Sequence, residues 1–461
     1  MVEGVLGEIV ARKRIDVAQR LAGRSLEDLR EAARPTQRSL RAALARPGAR
    51  FIMEVKRVSP SQGSLRAKVD PAAIARAYRG AADGISVLTD TPYFGGSLDD
   101  LRAVRKVFEG PILAKDFIVD PRQVPEARIA GADAVLVILA VLGDAEAKAV
   151  MDEARRLGMD VLVEAHDEAE VRRGVALGAG ILGINNRDLK TLKVDLAVTE
   201  RLAGLVPDET LLVSESGIED RRDVERLAPF ADAFLVGSSL MRAPNPAVAA
   251  RALAFGRVKI CGVTNAADAA AAADAGAAFA GLIMVPGTPR AVTLEAAAAA
   301  VDGLDIPAVG VFRNEKPLAV AQAAQALGLD AVQLHGDEDG LYMRGLRSLL
   351  PEGVEIWAAA AVGDAAPEPR AGADRIVYDS GAGGTGRTFD WTRLAGRPEL
   401  GEAILAGGLN PGNARAAAAV GAWALDVSSG IEASPGRKDP AKLAAFFEAL
   451  RVPVRKEIGT C

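Results

Sequence analysis

Short runs of about five apolar residues, each ending in a polar or charged side chain, recur along the whole chain. Runs of this length are typical of strands that are buried on both faces of a parallel sheet. A polar residue at the carboxyl end of such a strand lies where barrel enzymes place their chemistry. Eight runs in each half, about 20 to 35 residues apart, leave room each time for a crossover helix. The predicted strands end near Lys56, Thr89, Lys115, Val137, Glu164, Asn185, Glu215 and Val236, and then near Cys261, Met284, Phe312, Leu334, Ala358, Asp379, Ala406 and Val427.

Eight repeats per half is the number of units in a (β/α)8 barrel. A doubly wound open sheet would begin with a glycine-rich dinucleotide turn, whereas FIMEVKRVSPSQG at residues 51–63 carries charges at those positions. The length of 461 residues suits two domains. We therefore predict an α/β fold with two tandem (β/α)8 TIM barrels, at residues 1–255 and 256–461.

A helical extension precedes the first predicted barrel. Residues 5–22 are amphipathic with one charged face, and Ser25 to Asp28 form a capping-box pattern for a second helix. We expect this extension to close the floor of the barrel. The alternative is that it lines the substrate mouth.

Composition restricts the classes of partner and cofactor. The formal net charge of −5 is spread along the chain without a basic block, so nucleic acid is not an expected partner. No stretch has the length and apolarity of a membrane span, so we expect no membrane partner. Two cysteines do not make a disulfide framework, which favours a reducing cytoplasm. Only two histidines are present, which argues against zinc catalysis of the multi-histidine kind.

Charged side chains converge on the mouth of the first predicted barrel. Because strand side chains alternate, Glu54 and Lys56 point to the same side. Lys115, Glu164 and Glu215 reach that mouth from the third, fifth and seventh strands. Lysines that face carboxylates in a partly dry pocket have perturbed pKa values, as general acids and bases need, and a second cation nearby predicts a lowered pKa for Lys115. A structural layer of ion pairs is the alternative interpretation.

Two short loops with glycine follow the seventh and eighth strands, SESGI at 214–218 and LVGSSLM at 235–241. They offer backbone N–H groups at helix starts, which is the usual phosphate site of barrel enzymes. Tight turn geometry alone could also explain them. Their occurrence on two successive strands favours phosphate.

The first half resembles indole-3-glycerol-phosphate synthase along its whole length. The motifs that carry the resemblance are EVKRVSPSQG (54–63), VLTDTPYFGGS (87–97), ILAKDFIVDP (112–121), LVEAH (162–166), GINNRDL (183–189), SESGI and VGSS. The resemblance implies that Lys115 is the general acid of ring closure, that Glu164 is its partner carboxylate in dehydration, that Glu54 orients the lysines and the departing hydroxyl, and that Lys56 holds the anthranilate carboxylate. The remaining positions that match are Asn185, Arg187, Glu215 and Ser216 for the pocket, and Ser59, Gly237 and Ser238 for the phosphate.

Different residues end the first and sixth strands of the second predicted barrel. VKICGVT (258–264) ends its strand on Cys261, and RIVYDSGAGG (375–384) ends its strand on Asp379. A buried free cysteine is most often a small apolar residue. Opposite an aspartate at a barrel mouth, however, a thiolate can act as a base and the carboxyl as an acid. AGGLNPGN (406–413) and DVSSG (426–430) repeat the phosphate-loop pattern of the first half.

The second half resembles phosphoribosylanthranilate isomerase, again over its full length. The additional motifs are GLIMVPGTPR (281–290), VGVFRN (309–314), VQLHGDE (332–338) and SSGIEASPGRKD (428–439). The resemblance implies an Amadori rearrangement in which Asp379 protonates the ribose ring oxygen, Cys261 removes the C2′ proton and Arg290 binds the anthranilate carboxylate. Further positions that match are His335 and Asp426 in positioning roles, and Gly407, Gly408, Ser428 and Ser429 in the phosphate loops.

The two resemblances imply consecutive steps of tryptophan synthesis, because the product of the second barrel is the substrate of the first. We therefore expect phosphorylated anthranilate substrates, no metal or organic cofactor, and a monomer. Three alternatives remain at this stage: one barrel is active and the other is a scaffold, the second barrel is a sugar-phosphate isomerase of histidine synthesis, or the chain is a phosphate-binding module without catalysis. The histidine-pathway enzyme uses two aspartates, whereas this barrel begins with Cys261.

Overall fold

A computed structural model describes residues 4–59, 63–64, 69–189, 191–364, 367–381 and 386–458. The chain divides into two compact units. The first comprises the chain up to Ala254 together with the segment that begins at Val452, and the second comprises Phe255–Arg451. The single boundary predicted after residue 255 does not anticipate that the C-terminal segment groups with the first unit.

The first unit contains a closed barrel of eight parallel strands, β1 to β8, in which β1 pairs with both β2 and β8. Their bounds are Arg50–Val55, Gly84–Leu88, Ile112–Lys115, Ala134–Ile138, Asp160–Ala165, Ile181–Asn185, Leu211–Glu215 and Ala233–Val236. Nearly every strand residue is buried, as expected when side chains fill the barrel interior on one side and pack under helices on the other.

The second unit contains a second closed parallel barrel, β9 to β16, which is closed by pairing of β9 with β16. Its strands are Arg257–Cys261, Phe279–Ile283, Ala308–Phe312, Ala331–Leu334, Glu355–Ala361, Arg375–Asp379, Ile404–Leu405 and Ala424–Val427. The predicted fold class is confirmed. The largest shift of a strand end concerns β13, which continues to Ala361 instead of ending near Ala358.

Helices connect the strands of both barrels. Those that precede β9 are α1 Gly4–Arg20, α2 Leu26–Ala32, α3 Leu40–Leu44, α4 Pro71–Ala77, α5 Thr91–Phe94, α6 Leu98–Arg105, α7 Gln123–Ala130, α8 Asp144–Arg156, α9 Glu168–Ala176, α10 Ala197–Leu202, α11 Arg221–Leu227, α12 Ser238–Arg242 and α13 Pro246–Phe255. Those that follow are α14 Ala266–Ala275, α15 Leu294–Val301, α16 Pro317–Leu327, α17 Gly340–Arg347, α18 Ala414–Ala419, α19 Pro440–Leu450 and α20 Arg455–Ile458. Many of these helices are N-capped by a side chain, and Ser25 with Asp28 forms the predicted capping box of α2.

The N-terminal extension contacts both ends of the first barrel. Leu6 and Ile9 of α1 line a cavity at the carboxyl ends of the strands, so the expectation that this helix closes the floor is wrong. The segment after α2 does reach the floor, where Thr36 Oγ1 donates to Asp133 Oδ1 at 2.5 Å. Amphipathic periodicity predicts that α1 buries one face, but it does not say which end of the barrel covers that face.

Candidate active sites

A cavity of about 390 Å³ opens among the carboxyl ends of β1 to β8. Its wall contains every residue predicted for the first site whose side chain the structure describes: Glu54, Lys56, Lys115, Glu164, Asn185, Arg187, Glu215, Ser216, Gly237 and Ser238. The prediction for Ser59 concerns a side chain outside the described part of the chain. Apolar side chains from α1 and from the strand ends complete the wall, which suits an aromatic ring beside charged groups.

Lys115 lies between two carboxylates at the centre of this cavity. Its Nζ is 3.3 Å from Glu164 Oε2 and 3.2 Å from Glu215 Oε2. Burial alone would lower the pKa of Lys115, but the negative charges of Glu215, Glu164 and Glu54 outweigh burial and raise that pKa. The predicted lowering of this pKa is therefore wrong. The ammonium stays charged at neutral pH, which keeps a proton available for donation.

The two carboxylates beside Lys115 differ in their affinity for protons. Burial and the neighbouring charge of Glu164 raise the pKa of Glu215 to about 7, although Lys115 opposes that rise. Burial would also raise the pKa of Glu164, but Lys115 and His166 outweigh it and hold that pKa well below its usual range. Glu164 is thus ionised near neutral pH, whereas Glu215 is partly protonated.

Glu54 and Lys56 form a second ion pair at the end of β1. Lys56 Nζ lies 2.7 Å from Glu54 Oε1, which confirms that both side chains point into the mouth. Within the described residues, Glu54 Oε2 has no hydrogen-bond partner although it is buried. A buried carboxylate oxygen without a donor is available to a hydroxyl group of a ligand.

The loops after β7 and β8 approach the site closely. Ser216 adopts a left-handed backbone conformation with φ of 68°, which is uncommon for a residue other than glycine and is often found at functional sites. Gly237 precedes α12. A Cβ built on Gly237 would lie 2.6 Å from Glu54 Oε1 and 2.9 Å from Glu54 Cβ, so this position has no room for a side chain.

Gly237→Ala is therefore expected to lower the kcat/KM of the first site by about 10²-fold, because displacement of a catalytic group by about 1 Å has that effect. The Cβ–Cβ clash cannot be relieved by rotation of the Glu54 side chain, so β1 or the loop has to move. Steady-state kinetics measure the change. Gly204→Ala is the matched control, since a Cβ there meets no atom within 4 Å. Equal activities of the two variants would contradict this account.

A buried cation anchors α1 to the mouth of the first barrel. Lys13 Nζ lies 2.6 Å from Oδ1 of both Asp90 and Asp116, and its side chain is only 3% exposed. Asp116 directly follows Lys115 in the chain, so this anchor holds α1 beside the strand end that carries the ammonium group. Lys13 could not be identified from the sequence, because a lysine on an amphipathic helix resembles any other charge on an exposed face.

His166 is a second residue that the sequence analysis left without a role. It follows Glu164 by two positions at the end of β5, and its ring lies between Glu164 and Glu170 of α9. Strand alternation could have identified it, because side chains two positions apart face the same side.

A second cavity, of about 490 Å³, opens at the carboxyl ends of β9 to β16. It brings together every residue predicted for the second site: Cys261, Arg290, His335, Asp379, Gly407, Gly408, Asp426, Ser428 and Ser429. Ser428 Oγ is buried and has no hydrogen-bond partner among the described residues. Gly407 and Gly408 have φ of 87° and 66°, values that favour glycine in a loop that turns back over the cavity.

Cys261 is a buried free thiol surrounded by cations. Lys259, on the same strand, is fully buried with its Nζ 2.8 Å from Asp426 Oδ2. Lys438 Nζ donates to the carbonyl oxygen of Cys261 at 2.6 Å. Burial raises the pKa of the Cys261 thiol, while Lys259 and Lys438 oppose that rise. The lysines therefore favour the thiolate in a site that would otherwise keep the thiol neutral.

Asp379 is held by a histidine and by the start of the following loop. His335 Nε2 lies 3.4 Å from Asp379 Oδ2, and the backbone N–H of Ser380 donates to Asp379 Oδ1 at 2.6 Å. Burial would raise the pKa of Asp379, but His335 and Ser380 outweigh it and lower that pKa. His335 thus lies within reach of the carboxylate at this end of the cavity.

The guanidinium group of Arg290 is held by the carboxylate of Glu432. Its Nε and Nη2 donate to Glu432, with an Nη2–Oε2 distance of 2.7 Å. Lys438 Nζ also contacts Glu432 Oε1 at 2.9 Å. This bidentate contact fixes the plane of the guanidinium group and leaves Nη1 for a ligand.

Within the described ranges, no group of three or more His, Cys, Asp or Glu side chains is arranged to hold a metal ion. No helix in the described part of the chain has the length and apolarity to cross a membrane.

One protein-family model matches each half of the chain, and curated relatives match nearly all of it. Residues 6–253 match the family model of indole-3-glycerol phosphate synthase, and residues 258–449 match that of N-(5′-phosphoribosyl)anthranilate (PRA) isomerase. The chain is 44% identical to the tryptophan biosynthesis protein TrpCF of Yersinia pestis, over 97% of this chain and 94% of that protein. It is 46% identical to the protein of the same name from Vibrio parahaemolyticus, over 97% and 94% of the two chains.

Proposed function

We propose a residue-by-residue division of labour for this chain, which belongs to the bifunctional TrpCF proteins of tryptophan biosynthesis and combines an indole-3-glycerol phosphate synthase with a phosphoribosylanthranilate isomerase. The isomerase converts N-(5′-phosphoribosyl)anthranilate to 1-(o-carboxyphenylamino)-1-deoxyribulose 5-phosphate. The synthase closes that ketose-amine to indole-3-glycerol phosphate with loss of carbon dioxide and water. Both substrates are phosphorylated derivatives of anthranilate.

In the first barrel, Lys115 is the general acid. The anthranilate ring carbon attacks the ribulose carbonyl, a carbon–carbon bond forms, and the carbonyl oxygen takes a proton from the ammonium group. Departure of carbon dioxide then restores the aromatic ring. Lys56 binds the substrate carboxylate before it leaves, and Glu54 accepts a hydrogen bond from the new hydroxyl group. The observation that carries this assignment is the position of Lys115 Nζ, 3.2 to 3.3 Å from two carboxylates.

Dehydration needs a proton donor and a base at the same time. The carbon–oxygen bond to the hydroxyl group breaks as that oxygen is protonated, and the neighbouring methylene carbon loses a proton. Glu164 is the base, because its carboxylate is ionised at neutral pH and lies beside Lys115 in the cavity. Glu215, whose pKa is raised to about 7, shares a proton with Lys115 and returns it after each turnover. The remaining groups of the site bind the substrate: Asn185, Arg187 and Ser216 in the pocket, and Ser59, Gly237 and Ser238 at the phosphate.

In the second barrel, Asp379 is the acid and Cys261 is the base. Protonation of the ribose ring oxygen breaks its bond to C1′ and gives an open-chain iminium ion. The Cys261 thiolate removes the C2′ proton to form an enolamine, and a proton then moves from the C2′ oxygen to C1′ to give the ketose-amine. His335 delivers a proton to Asp379, which supports an acid whose own pKa is lowered.

Substrate binding in the second barrel follows the same logic as in the first. Arg290 binds the anthranilate carboxylate through Nη1, while Glu432 holds the other side of the guanidinium group. Asp426 positions Lys259 beside the thiol. The phosphate is bound by the loops after the seventh and eighth strands of this barrel, through Gly407, Gly408, Ser428 and Ser429. We also propose a cytoplasmic location, since a reducing compartment keeps the Cys261 thiol free. We also propose that the chain acts as a monomer, since each cavity is lined by one unit of the chain.

Glu164→Gln tests the assignment of the first site. The amide has the shape of the carboxylate but cannot accept a proton at neutral pH, so the kcat of ring closure is expected to fall by about 10²- to 10⁴-fold. When the variant is supplied with N-(5′-phosphoribosyl)anthranilate, the ketose-amine should accumulate while indole absorbance stays absent. The isomerase rate of the same chain serves as the internal control. Indole formation at the unmodified rate would remove Glu164 from the mechanism.

A further inference from the structure

His166 lies between two carboxylates, one of which, Glu164, lines the first cavity. Its Nε2 is 3.2 Å from Glu164 Oε1, an ion-pair contact whose angle is not that of a hydrogen bond. Its Nδ1 is 3.1 Å from Glu170 Oε2, and its backbone N–H donates to the same oxygen at 2.8 Å. A neutral imidazole would direct a nitrogen lone pair at one of these carboxylates, whereas an imidazolium presents N–H to both. The position therefore favours the charged ring.

This contact distinguishes Glu164 from Glu215. Both carboxylates are buried, and they lie 3.3 Å and 3.2 Å from the same Lys115 Nζ. The other groups that act on Glu164 come from other strands of the barrel, with Lys115 on β3 and Asn185 on β6. The largest influences on Glu215 are burial, the charge of Lys115 and the repulsion of Glu164 and Glu54. The imidazolium of His166 and the hydrogen bond from Asn185 are thus what distinguishes Glu164, and the imidazolium is the charged group of the two.

We propose that His166 is a positioning residue for ring closure: an imidazolium held between Glu164 and Glu170 fixes Glu164, rather than Glu215, as the ionised carboxylate beside Lys115. This inference rests on the role proposed above for Glu164 as the base of dehydration. His166 itself does not touch the reacting atoms in this account. Its effect is to assign the single shared proton to Glu215.

The protonation behaviour agrees with this geometry. Burial on its own would lower the pKa of His166, but Glu164 and Glu170 outweigh it and raise that pKa to about 10. Loss of the imidazolium charge would raise the pKa of Glu164, so that Glu164 and Glu215 would compete for one proton. A base with a raised pKa is ionised only at higher pH. The acid limb of the ring-closure rate should therefore move to higher pH when the charge is removed.

His166→Gln is the first test. In the pH profile of kcat for ring closure, we expect the acidic limb to shift to higher pH by about one unit. At pH values below that limb, kcat should be about tenfold lower than in the unmodified protein. The isomerase rate of the same chain should not change. A fall in kcat with the acid limb unmoved would show a merely structural role and overturn the proposal, as would an unchanged rate and profile.

Glu170→Gln provides a second variant that keeps the imidazole ring. It removes one of the two carboxylates that hold the charge, so a smaller shift of the acid limb in the same direction is expected. Glu168→Gln is the matched control, because Glu168 lies on the same helix with a side chain 62% exposed. If Glu170→Gln behaved like Glu168→Gln, the proposal would fail even if His166→Gln did not fold.

Nuclear magnetic resonance can measure the protonation state of the His166 ring directly. The chain has only two histidines, so a sample with ¹⁵N-labelled histidine gives two sets of imidazole signals, and His166→Gln assigns them. The imidazole ring of His166 is expected to keep both of its N–H protons above pH 8. Titration of the His166 ring near the ordinary value of about 6.5 would overturn the proposal. Glu164→Gln separates the role of Glu164 as base from the role of His166 in positioning it. If Glu164→Gln keeps full activity, the proposed base is wrong. If Glu164→Gln is inactive and the acidic limb of His166→Gln is unmoved, only the role of His166 is refuted.

Discussion

Lys115→Met is expected to lower the kcat of ring closure by about 10²- to 10⁴-fold and to leave the isomerase rate unchanged. Methionine keeps the volume of the side chain but has no proton to give to the carbonyl oxygen. It also removes the cation that lies 3.2 to 3.3 Å from Glu164 and Glu215, so both carboxylates take up protons more readily. Indole absorbance measures the first activity, and consumption of N-(5′-phosphoribosyl)anthranilate measures the second.

Lys148→Met is the matched control for this prediction. Lys148 lies on α8 with a side chain 66% exposed and an ion pair to Asp152, so its loss should cost little. Thermal unfolding of both variants shows whether the first barrel remains folded. If a folded Lys115→Met protein closed the indole ring at the original rate, the acid would have to be another group. An isomerase rate that fell in parallel would contradict the assignment of the two activities to separate barrels.

The barrels themselves could be predicted because each strand is a local signal. An apolar run such as FIMEV identifies a buried strand, and the charged residue that follows it marks the mouth. Cys261 and Asp379 could be placed together at the mouth of the second barrel, and Lys115 with its carboxylates at the mouth of the first, since parallel strands bring their carboxyl ends together. The position of α1 could not be read in this way. Periodicity defines only the apolar face of α1. The position of α1 is fixed by the contact of Lys13 with Asp90 and Asp116, which are distant from it in the chain.

The sign of a pKa shift also depended on distances that the sequence does not contain. A lysine near Lys115 suggested a lowered pKa, but Lys56 Nζ is paired with Glu54 at 2.7 Å. Glu164 and Glu215 lie close enough to Lys115 to decide the direction. His166 illustrates the opposite case, because its spacing from Glu164 was visible in the sequence. What the sequence lacked there was Glu170 of α9, which lies on the other side of the ring.

Cys261→Ser is expected to lower the kcat of the isomerase by about 10²- to 10⁴-fold while ring closure from supplied ketose-amine continues at its original rate. A serine hydroxyl fits the site but does not ionise near neutral pH, so it cannot remove the C2′ proton. Because burial raises the pKa of the Cys261 thiol, the thiolate fraction of the unmodified protein is small at neutral pH and increases as the pH rises. The isomerase rate should therefore climb through the alkaline range, and this rise should vanish in Cys261→Ser.

The other cysteine of the chain provides the control for that variant. Cys461→Ser also replaces a thiol with a hydroxyl group, but at the last residue of the sequence, and it should keep both activities and the alkaline rise. Lys259 and Lys438 favour the thiolate. The rise of the isomerase rate with pH should therefore begin at a lower pH than it would if burial alone acted on the Cys261 thiol. If Cys261→Ser kept the isomerase rate and its pH profile, the buried thiol would be a small apolar residue and the base would have to be found elsewhere in the second cavity. A chain that lost both activities on this one change would show that the barrels do not act independently, against the division of labour proposed here.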